Sequence, residues 1–491
     1  MKHRVKMIAI MVCLCFIMPC LPASAAEIPV LNAQEYQLLN KLEITKDAKE
    51  GNAHPVSRGE MLTMAMRLSP LTREPGIAGE QVFSDVPATD PYAAYINAAY
   101  RSGIVTGRGD GTFGRDLPVS LQDALVMTEK VLGYGEAASL LGGYPAGFIQ
   151  LAGQLNFFSG ISAVQGETIY FYDAVKLLYN VLHSPAPEFT GAEKLIFSAG
   201  KTILNLNFGI YQTKAVVSGT EYTNIYTGTP APAGIVIADN IQYYAEEDML
   251  ALIGQRVNLY YKEDTDGARE IIFADNTGNN VQEVNTLQIE SFGTGRMKYY
   301  DAADMAHTIS FENNAVFMEN DKIIYPDSGY LLPAHGAVTV VDNDDDSRGE
   351  VVLIRRAESF VVTGCSTDRT KIYGRDRTID LDDYDRYTAT DADGKQITLT
   401  EIERDDIITI YDSDRGGSLL IQKSGIFGVM TVKSVTKQDA YSDRIVTYVS
   451  AMDDTRFTVS DNLLERSSIS IGYTYVFAID RFGTIIEIMR R

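Results

Sequence analysis

Four stretches in the later part of this chain end alike. IGQRVNLYYKEDTDGAREIIFAD runs from Ile253, HGAVTVVDNDDDSRGEVVLIRRA from His335, RDDIITIYDSDRGGSLLIQKS from Arg404 and IGYTYVFAIDRFGTIIEIMRR from Ile471. Each is rich in alternating β-branched and aromatic residues, breaks at an Asp/Gly cluster and then alternates again, which is the pattern of strand, turn, strand. The turn glycines Gly267, Gly349, Gly417 and Gly483 recur about 65 to 80 residues apart, a spacing that suits one small β domain per repeat. Each unit opens with a further strand pair, as at Phe360 to Thr363 and Gly428 to Val432. The repeat predicts tandem all-β modules, barrel-like or sandwich-like, over 208–280, 281–357, 358–424 and 425–491. Such a series would form a stalk or shell.

The first third follows a helical period instead. Tyr92, Tyr95, Ile96 and Ala99 fall on one face of a helix, and Gly103 stops it. Ile104 and Val105 form a short apolar plug, Gly107 to Gly111 turn the chain, and Phe113 returns to the core. Ser120-Leu121-Gln122-Asp123 resembles a capping box that opens a second helix. The intervening GIVTGRGDGTFGRD is not a phosphate loop, because it lacks the lysine and the spacing of one. Gly200-Lys201-Thr202 fails too, with Leu195 where the first glycine belongs. Arg108-Gly109-Asp110 spells an adhesion tripeptide, but turns collect these residue types without any adhesive role.

Phe83-Ser84-Asp85-Val86, Tyr95 to Ala99, Gly103-Ile104-Val105-Thr106-Gly107, Asp110 to Phe113 and Val119-Ser120 together resemble, in order and spacing, the S-layer homology (SLH) module. The clear copy spans 80–135. Weaker copies flank it at 27–75, with the helix Gln34 to Ile44 and the capping box Ser57/Glu60, and at 140–187, with the helical run Tyr172 to Asn180. The resemblance implies an α-helical SLH triplet, a pseudo-threefold bundle, ahead of the β modules. It also implies grooves that bind secondary cell-wall polysaccharide, often pyruvylated, or another peptidoglycan-linked glycan. The family's key position is the arginine of a T-R-A-E-like motif at the start of each second helix. Here copy one keeps it as Arg58, between Ser57 and Glu60, while Leu121 and Phe171 stand at that place in the other two. A guanidinium offers a rigid charged fork to a ketal carboxylate, and the helix N-terminus beside it favours the same anion. Arg108 and Arg115 on the loop are further candidates to assist.

Sixty-five acidic residues against 43 basic ones give a net charge of −22, which opposes nucleic-acid binding. Lys2, Arg4 and Lys6, the apolar run Met7 to Met18 and Ala23-Ser24-Ala25 read as a signal peptide over 1–26, cleaved after Ala25 or Ala26. Pro19 before Cys20 argues against lipidation. Cys13, Cys15 and Cys20 leave with that segment, so the remaining Cys365 forms no intrachain disulfide and no cysteine metal site. No second run is long enough to span a bilayer, and GTIIEIMRR reads as neither membrane nor sorting tail. Ser184-Pro185-Ala186-Pro187 punctuates the chain, and the amphipathic stretch Ala192 to Leu206 predicts a linker helix within 188–207.

Catalytic patterns are missing. His54, His183, His307 and His335 have no metal-spaced partners, and neither G-x-S-x-G nor S-x-x-K falls at a strand-to-helix turn. Carboxylate pairs are too common in so acidic a chain to single out a glycosidase acid and base. No cofactor is implied. Asp264-Thr265-Asp266-Gly267 and Asp342 to Asp346 offer oxygen ligands to calcium but lack an EF-hand frame, and a hairpin turn selects the same residues. The expectation is a non-enzymatic, exported, wall-anchored protein that displays a structural or surface-layer β region able to self-associate. An adhesin or glycan-binding array is the alternative, with 28 tyrosines standing in for the absent tryptophan, and a wall hydrolase is the minority reading.

Overall fold

Helices come first and strands after. The computed structural model describes residues 33–46, 54–77, 79, 81–189, 195–247, 249–276, 278–301, 303, 305–327, 330, 332–412, 418–439 and 445–489, so the signal-peptide reading lies outside the described residues. The chain divides into two compact units, Met1–Phe208 and Gly209–Arg491. Among the described residues no helix is long and apolar enough to cross a membrane.

In the first unit, α1 (Ala33–Lys41) and α2 (Arg58–Arg67) precede α3 (Ala93–Arg101) and α4 (Leu121–Val131). Then come the short α5 (Gly135–Leu140), α6 (Ala146–Gln154) and α7 (Phe171–Leu182). Packing is cyclic: α2 lies against α3, α4 against α6 and α7 against α1. The segments leading into α2, α4 and α7 close the cycle through backbone hydrogen bonds. The amide of Val56 donates to the carbonyl of Ile169 (3.0 Å), Ile169 to Val119 (3.0 Å) and Val119 to Val56 (2.9 Å). Two residues on, Arg58 donates to Leu117, Leu121 to Glu167 and Phe171 to His54. All three ring residues are buried, so these amides must find protein partners, and each finds the next segment.

The stretch predicted as a linker helix is mostly strand where it is described. β1 (Pro185–Phe189) pairs antiparallel with β2 (Leu195–Thr202), and only α8 (Ile203–Phe208) is helical. Two causes are visible. Gly200 sits at φ +84°, outside helical space, and the stretch pairs with β1, whose Pro185 and Pro187 fit an edge strand. The hydroxyl of Thr202 then caps α8 by accepting from the amide of Asn205 (3.3 Å).

The second unit repeats one strand connection four times. Strands β3 (Ile210–Gly219), β4 (Ile235–Ala238), β5 (Ile241–Tyr244), β6 (Arg256–Glu263) and β7 (Arg269–Asp275) close a barrel in the order β3-β4-β5-β7-β6. Its third and fifth strands run parallel, while every other neighbouring pair is antiparallel. That is the Greek-key connection of an oligonucleotide/oligosaccharide-binding barrel.

Next come β8 (Asn280–Asn285), β9 (Ile289–Phe292), β10 (Arg296–Tyr300), β11 (Ala306–Glu319), β12 (Lys322–Ile324), β13 (Gly336–Asp342) and β14 (Arg348–Arg356), in one seven-stranded sheet. After them β15 (Glu358–Val361), β19 (Arg386–Thr390), β20 (Ile407–Asp412) and β21 (Ser418–Lys423) form a four-stranded sheet. Between β15 and β19, β16 (Gly364–Cys365), β17 (Lys371–Tyr373) and β18 (Thr378–Asp380) form a small sheet of their own. Both larger sheets keep the barrel's pairings, with β13 and β20 antiparallel to the unit's first strand and β14 and β21 parallel to β11 and β19. Finally β22 (Ile426–Asp439), β23 (Ile445–Ala451), β24 (Arg456–Val459), β25 (Thr474–Ile479) and β26 (Thr484–Met489) close a second barrel with the first one's strand order. The short helix α9 (Asp461–Arg466) sits between its third and fourth strands. The four strand–turn–strand stretches of the sequence are the hairpins β6–β7, β13–β14, β20–β21 and β25–β26.

One buried acid in the first unit carries a measurable consequence. Glu129 on α4 is fully buried, and its carboxyl oxygens have no hydrogen-bond partner among the described residues. Burial pushes the carboxyl up to about 9. Its folded value lies above its unfolded one, so folding takes up a proton between the two values, and stability falls as pH rises through that window. Glu129→Gln should gain roughly 3 kcal/mol over the parent at pH 8 and almost nothing at pH 4, read by denaturant unfolding at both pH values.

Candidate functional site

The glycine-rich loop between α3 and α4 is built as a support. Gly103, Gly109, Gly111 and Gly114 all have positive φ, and a Cβ on Gly107 would lie 2.6 Å from the ring of Phe83. Asp85 fastens the loop, since its carboxylate accepts the amides of Phe113 (2.8 Å), Gly114 (2.8 Å) and Arg115 (3.1 Å). Partial burial pushes this carboxyl up, but the three amides outweigh it and hold Asp85 below the usual carboxylate range. The aspartate of the RGD tripeptide is spent locally. Asp110 accepts from the amide (2.9 Å) and hydroxyl (2.6 Å) of Thr112, which makes the tripeptide a turn.

Arg58 lies against this support at the first position of α2. Ser57 is the N-cap, its hydroxyl accepting from the amide of Glu60 (3.2 Å), while Glu60 accepts from the amide of Ser57 (3.4 Å). The Arg58 guanidinium stacks over the Phe113 ring at 4.8 Å and is about one-fifth exposed. Its polar contacts are long: 3.4 Å to the carbonyl of Thr106 and 3.9 Å to Asp123 on α4. Its Nε has no hydrogen-bond partner among the described residues. Burial pulls the group below its ordinary value, Asp123 and Tyr144 push back, and Arg108 adds repulsion. A guanidinium stays charged under such a shift, so Arg58 is a desolvated cation with donors to spare.

The other candidates separate. Glu60 is buried and faces His54 (3.2 Å), so it holds the helix start and is not open to a ligand. Arg108 is exposed on the loop near Arg58. Arg115 is committed: it pairs with Asp90 (2.9 Å) and with Asp116, and it lies over the Tyr92 ring at 5.0 Å. Leu121 and Phe171 are buried, and Phe171 stacks on His54 with ring centroids 5.1 Å apart.

A polar string that the motif comparison missed leads away from Arg58. Asp123 takes a 3.5 Å contact from the Tyr144 hydroxyl, which accepts from the Gln122 amide (2.8 Å), and the Gln122 carbonyl accepts from Gln165 (3.1 Å). Tyr144 and Gln165 lie on the segments ahead of α6 and α7 and meet this place only in space. Asp123 alone carried a sequence signal, as the third residue of a capped helix.

In the β unit, the carboxylates of Asp342, Asp344, Asp346 and Glu350 bring oxygens within 4.8 Å of one another. The turn itself uses most of them. Asp342 accepts from the amides of Asp345 and Ser347, Asp344 from that of Asp346, Asp346 from that of Arg348 and Glu350 from that of Asn343. Elsewhere an aspartate caps the amides two and four residues on, as at Asp264, Asp391 and Asp480, with a left-handed glycine between. Turn geometry therefore accounts for the acidic residues of the β6–β7, β13–β14 and β25–β26 turns, while the turn between β20 and β21 lies outside the described residues.

A family profile described as S-layer homology domain matches residues 82–125. A cell surface protein of Thermoanaerobacter kivui is 22% identical over 435 residues, which cover 85% of this chain and 51% of that protein. The middle cell wall protein of Brevibacillus brevis is 23% identical over 401 residues, covering 70% of this chain and 36% of its own length. The chain thus spans about half, or less, of the curated relatives it matches.

Asp85 supplies the test of the loop's construction. Its folded value is depressed, so its contribution is present above the unfolded carboxylate range and is lost as pH falls through the folded value. Asp85→Ala should cost about 2–3 kcal/mol at neutral pH, and the gap to the parent should close in acid. Urea titrations of both proteins at neutral and acidic pH read it.

Proposed function

We propose that this S-layer homology protein of the bacterial cell surface is held to the wall by a three-module anchor formed from its helical unit. The ligand would be secondary cell-wall polysaccharide, and Arg58 would be its principal anion contact. The observation that carries the reading is the state of Arg58: a desolvated guanidinium, stacked on Phe113, with only long polar contacts and a side chain about one-fifth exposed. A pyruvyl ketal carboxylate would give that fork the short, charge-assisted bonds it lacks.

Two supporting roles follow. Ser57 and Glu60 fix the start of α2, and Arg108 offers a second, exposed cation to an acidic sugar. Arg115, drawn into Asp90 and Asp116, would steady the loop carbonyl that receives the Gly59 amide (3.0 Å). With Leu121 and Phe171 in the core, the anchor would carry one anionic groove, while the other two repeats complete the bundle.

The β unit would be the displayed part. Residues 209–491 hold 46 acidic and 27 basic residues, and so carry most of the net charge of −22. A surface of that sign repels its own copies at low salt, so self-association would depend on counter-ions at the wall. The glycan-binding alternative is favoured by one observation, the exposed tyrosines Tyr211, Tyr226 and Tyr244 on the first barrel and its loop.

Co-sedimentation of the mature chain with purified sacculi tests the anchor. Binding should require the secondary polysaccharide and should weaken at least about tenfold in Arg58→Ala, while Arg115→Lys should bind like the parent. Equal binding to stripped sacculi would overturn the polysaccharide reading. Unchanged binding by Arg58→Ala would overturn the assignment of the groove.

A further inference from the structure

Arg58 answers for a charge but not for a sugar. A lone guanidinium takes any small carboxylate, whereas holding a saccharide also needs an apolar surface for the C–H face of its ring.

Such a surface lies one carboxylate away. One oxygen of Asp123 is 3.9 Å from the Arg58 guanidinium, and the other is 3.5 Å from the Tyr144 hydroxyl. Tyr144 is also near enough to act on the Arg58 charge directly. Its side chain is tethered at the hydroxyl end, where Gln122 Nε2 donates to it (2.8 Å) and Gln165 Nε2 donates in turn to Gln122 Oε1 (3.1 Å). The residue is nonetheless 63% exposed.

An exposed tyrosine alone carries no meaning, because single apolar side chains are ordinary on any surface. Two other exposed tyrosines of the helical unit are spent on neighbouring rings, Tyr100 on Phe83 at 5.1 Å and Tyr170 against Tyr172 at 6.1 Å. Tyr144 is instead held by its polar tip, so its orientation is set before a ligand arrives, which lowers the cost of binding one. Asp123 narrows the choice of ligand. Its carboxylate repels a bare anion but accepts hydroxyl groups, and both of its contacts here are long. Cation, acceptor and open ring together suit a sugar that bears one anionic group among hydroxyls.

We propose that Tyr144 is the stacking platform for the sugar ring whose anionic substituent meets Arg58, with Asp123 accepting one of its hydroxyls. This rests on the reading of Arg58 as the anion contact. Co-sedimentation of the mature chain with polysaccharide-bearing sacculi, at low and high salt, tests it. Tyr144→Ala should weaken binding at least about fivefold, and Tyr144→Phe, which keeps the ring, should restore most of it. Salt screens the charge contact and not the stacking one, so the salt sensitivity should fall in Arg58→Ala and stay at the parent's level in Tyr144→Ala. A loss in Tyr144→Phe as deep as in Tyr144→Ala would assign the effect to the hydroxyl and overturn the platform. Loss in Arg58→Ala alone would overturn the platform and leave the anchor reading standing. Loss in neither variant would overturn both, and loss in Tyr144→Ala alone would sink the shared site.

Discussion

The helical unit depends on a ring of three backbone hydrogen bonds. Val56, Val119 and Ile169 are buried in segments too short to form a sheet, so their amides have no local partner. Each is satisfied by another of the three segments, and none within its own. The ring lies immediately ahead of α2, α4 and α7, so it also fixes where those helices begin. Arg58, two residues past Val56, inherits its position from this closure. The segments ahead of α4 and α7 are therefore needed whether or not they carry a charged residue there, because each completes a backbone bond for a neighbour.

That dependence explains what the sequence made legible. The middle helical repeat could be read because its glycines, Asp85 and the Ser120 cap each do a local job with a fixed residue type. The β6–β7 and β25–β26 hairpins could be read for the same reason: an aspartate that caps amides two and four residues on, followed by a left-handed glycine, leaves a pattern in any sequence. The linker misled because the amphipathic spacing of Ala192 to Leu206 competes with a left-handed Gly200 and with strand pairing to β1, which won over side-chain periodicity.

The site itself was half legible. Arg58 stood out by its motif, but nothing in the sequence separates it from Arg115 as an anion contact. The difference lies in who is near: Asp90 and Asp116 claim Arg115 at short range, while Arg58 has only distant oxygens and an aromatic face. Tyr144 and Gln165 reach the same surface from residues that are far away along the chain, and no spacing rule announces them.

The β repeats share more than a strand order. The first barrel's core includes Val217, Tyr243 and Leu259, and the same cluster takes in Met318, Val341 and Val351 from the seven-stranded sheet. Val361 and Ile407 of the four-stranded sheet likewise pack with Ala478 and Ile486 of the second barrel. Neither middle sheet closes on itself, so apolar surface that a closed barrel would hide internally is covered by a neighbour. Repeats joined through common cores cannot rotate freely as beads on a flexible thread would, because separating them would expose those residues to water. The coupled charges around the Arg375–Glu487 and Arg466–Asp376 pairs sit at one such junction.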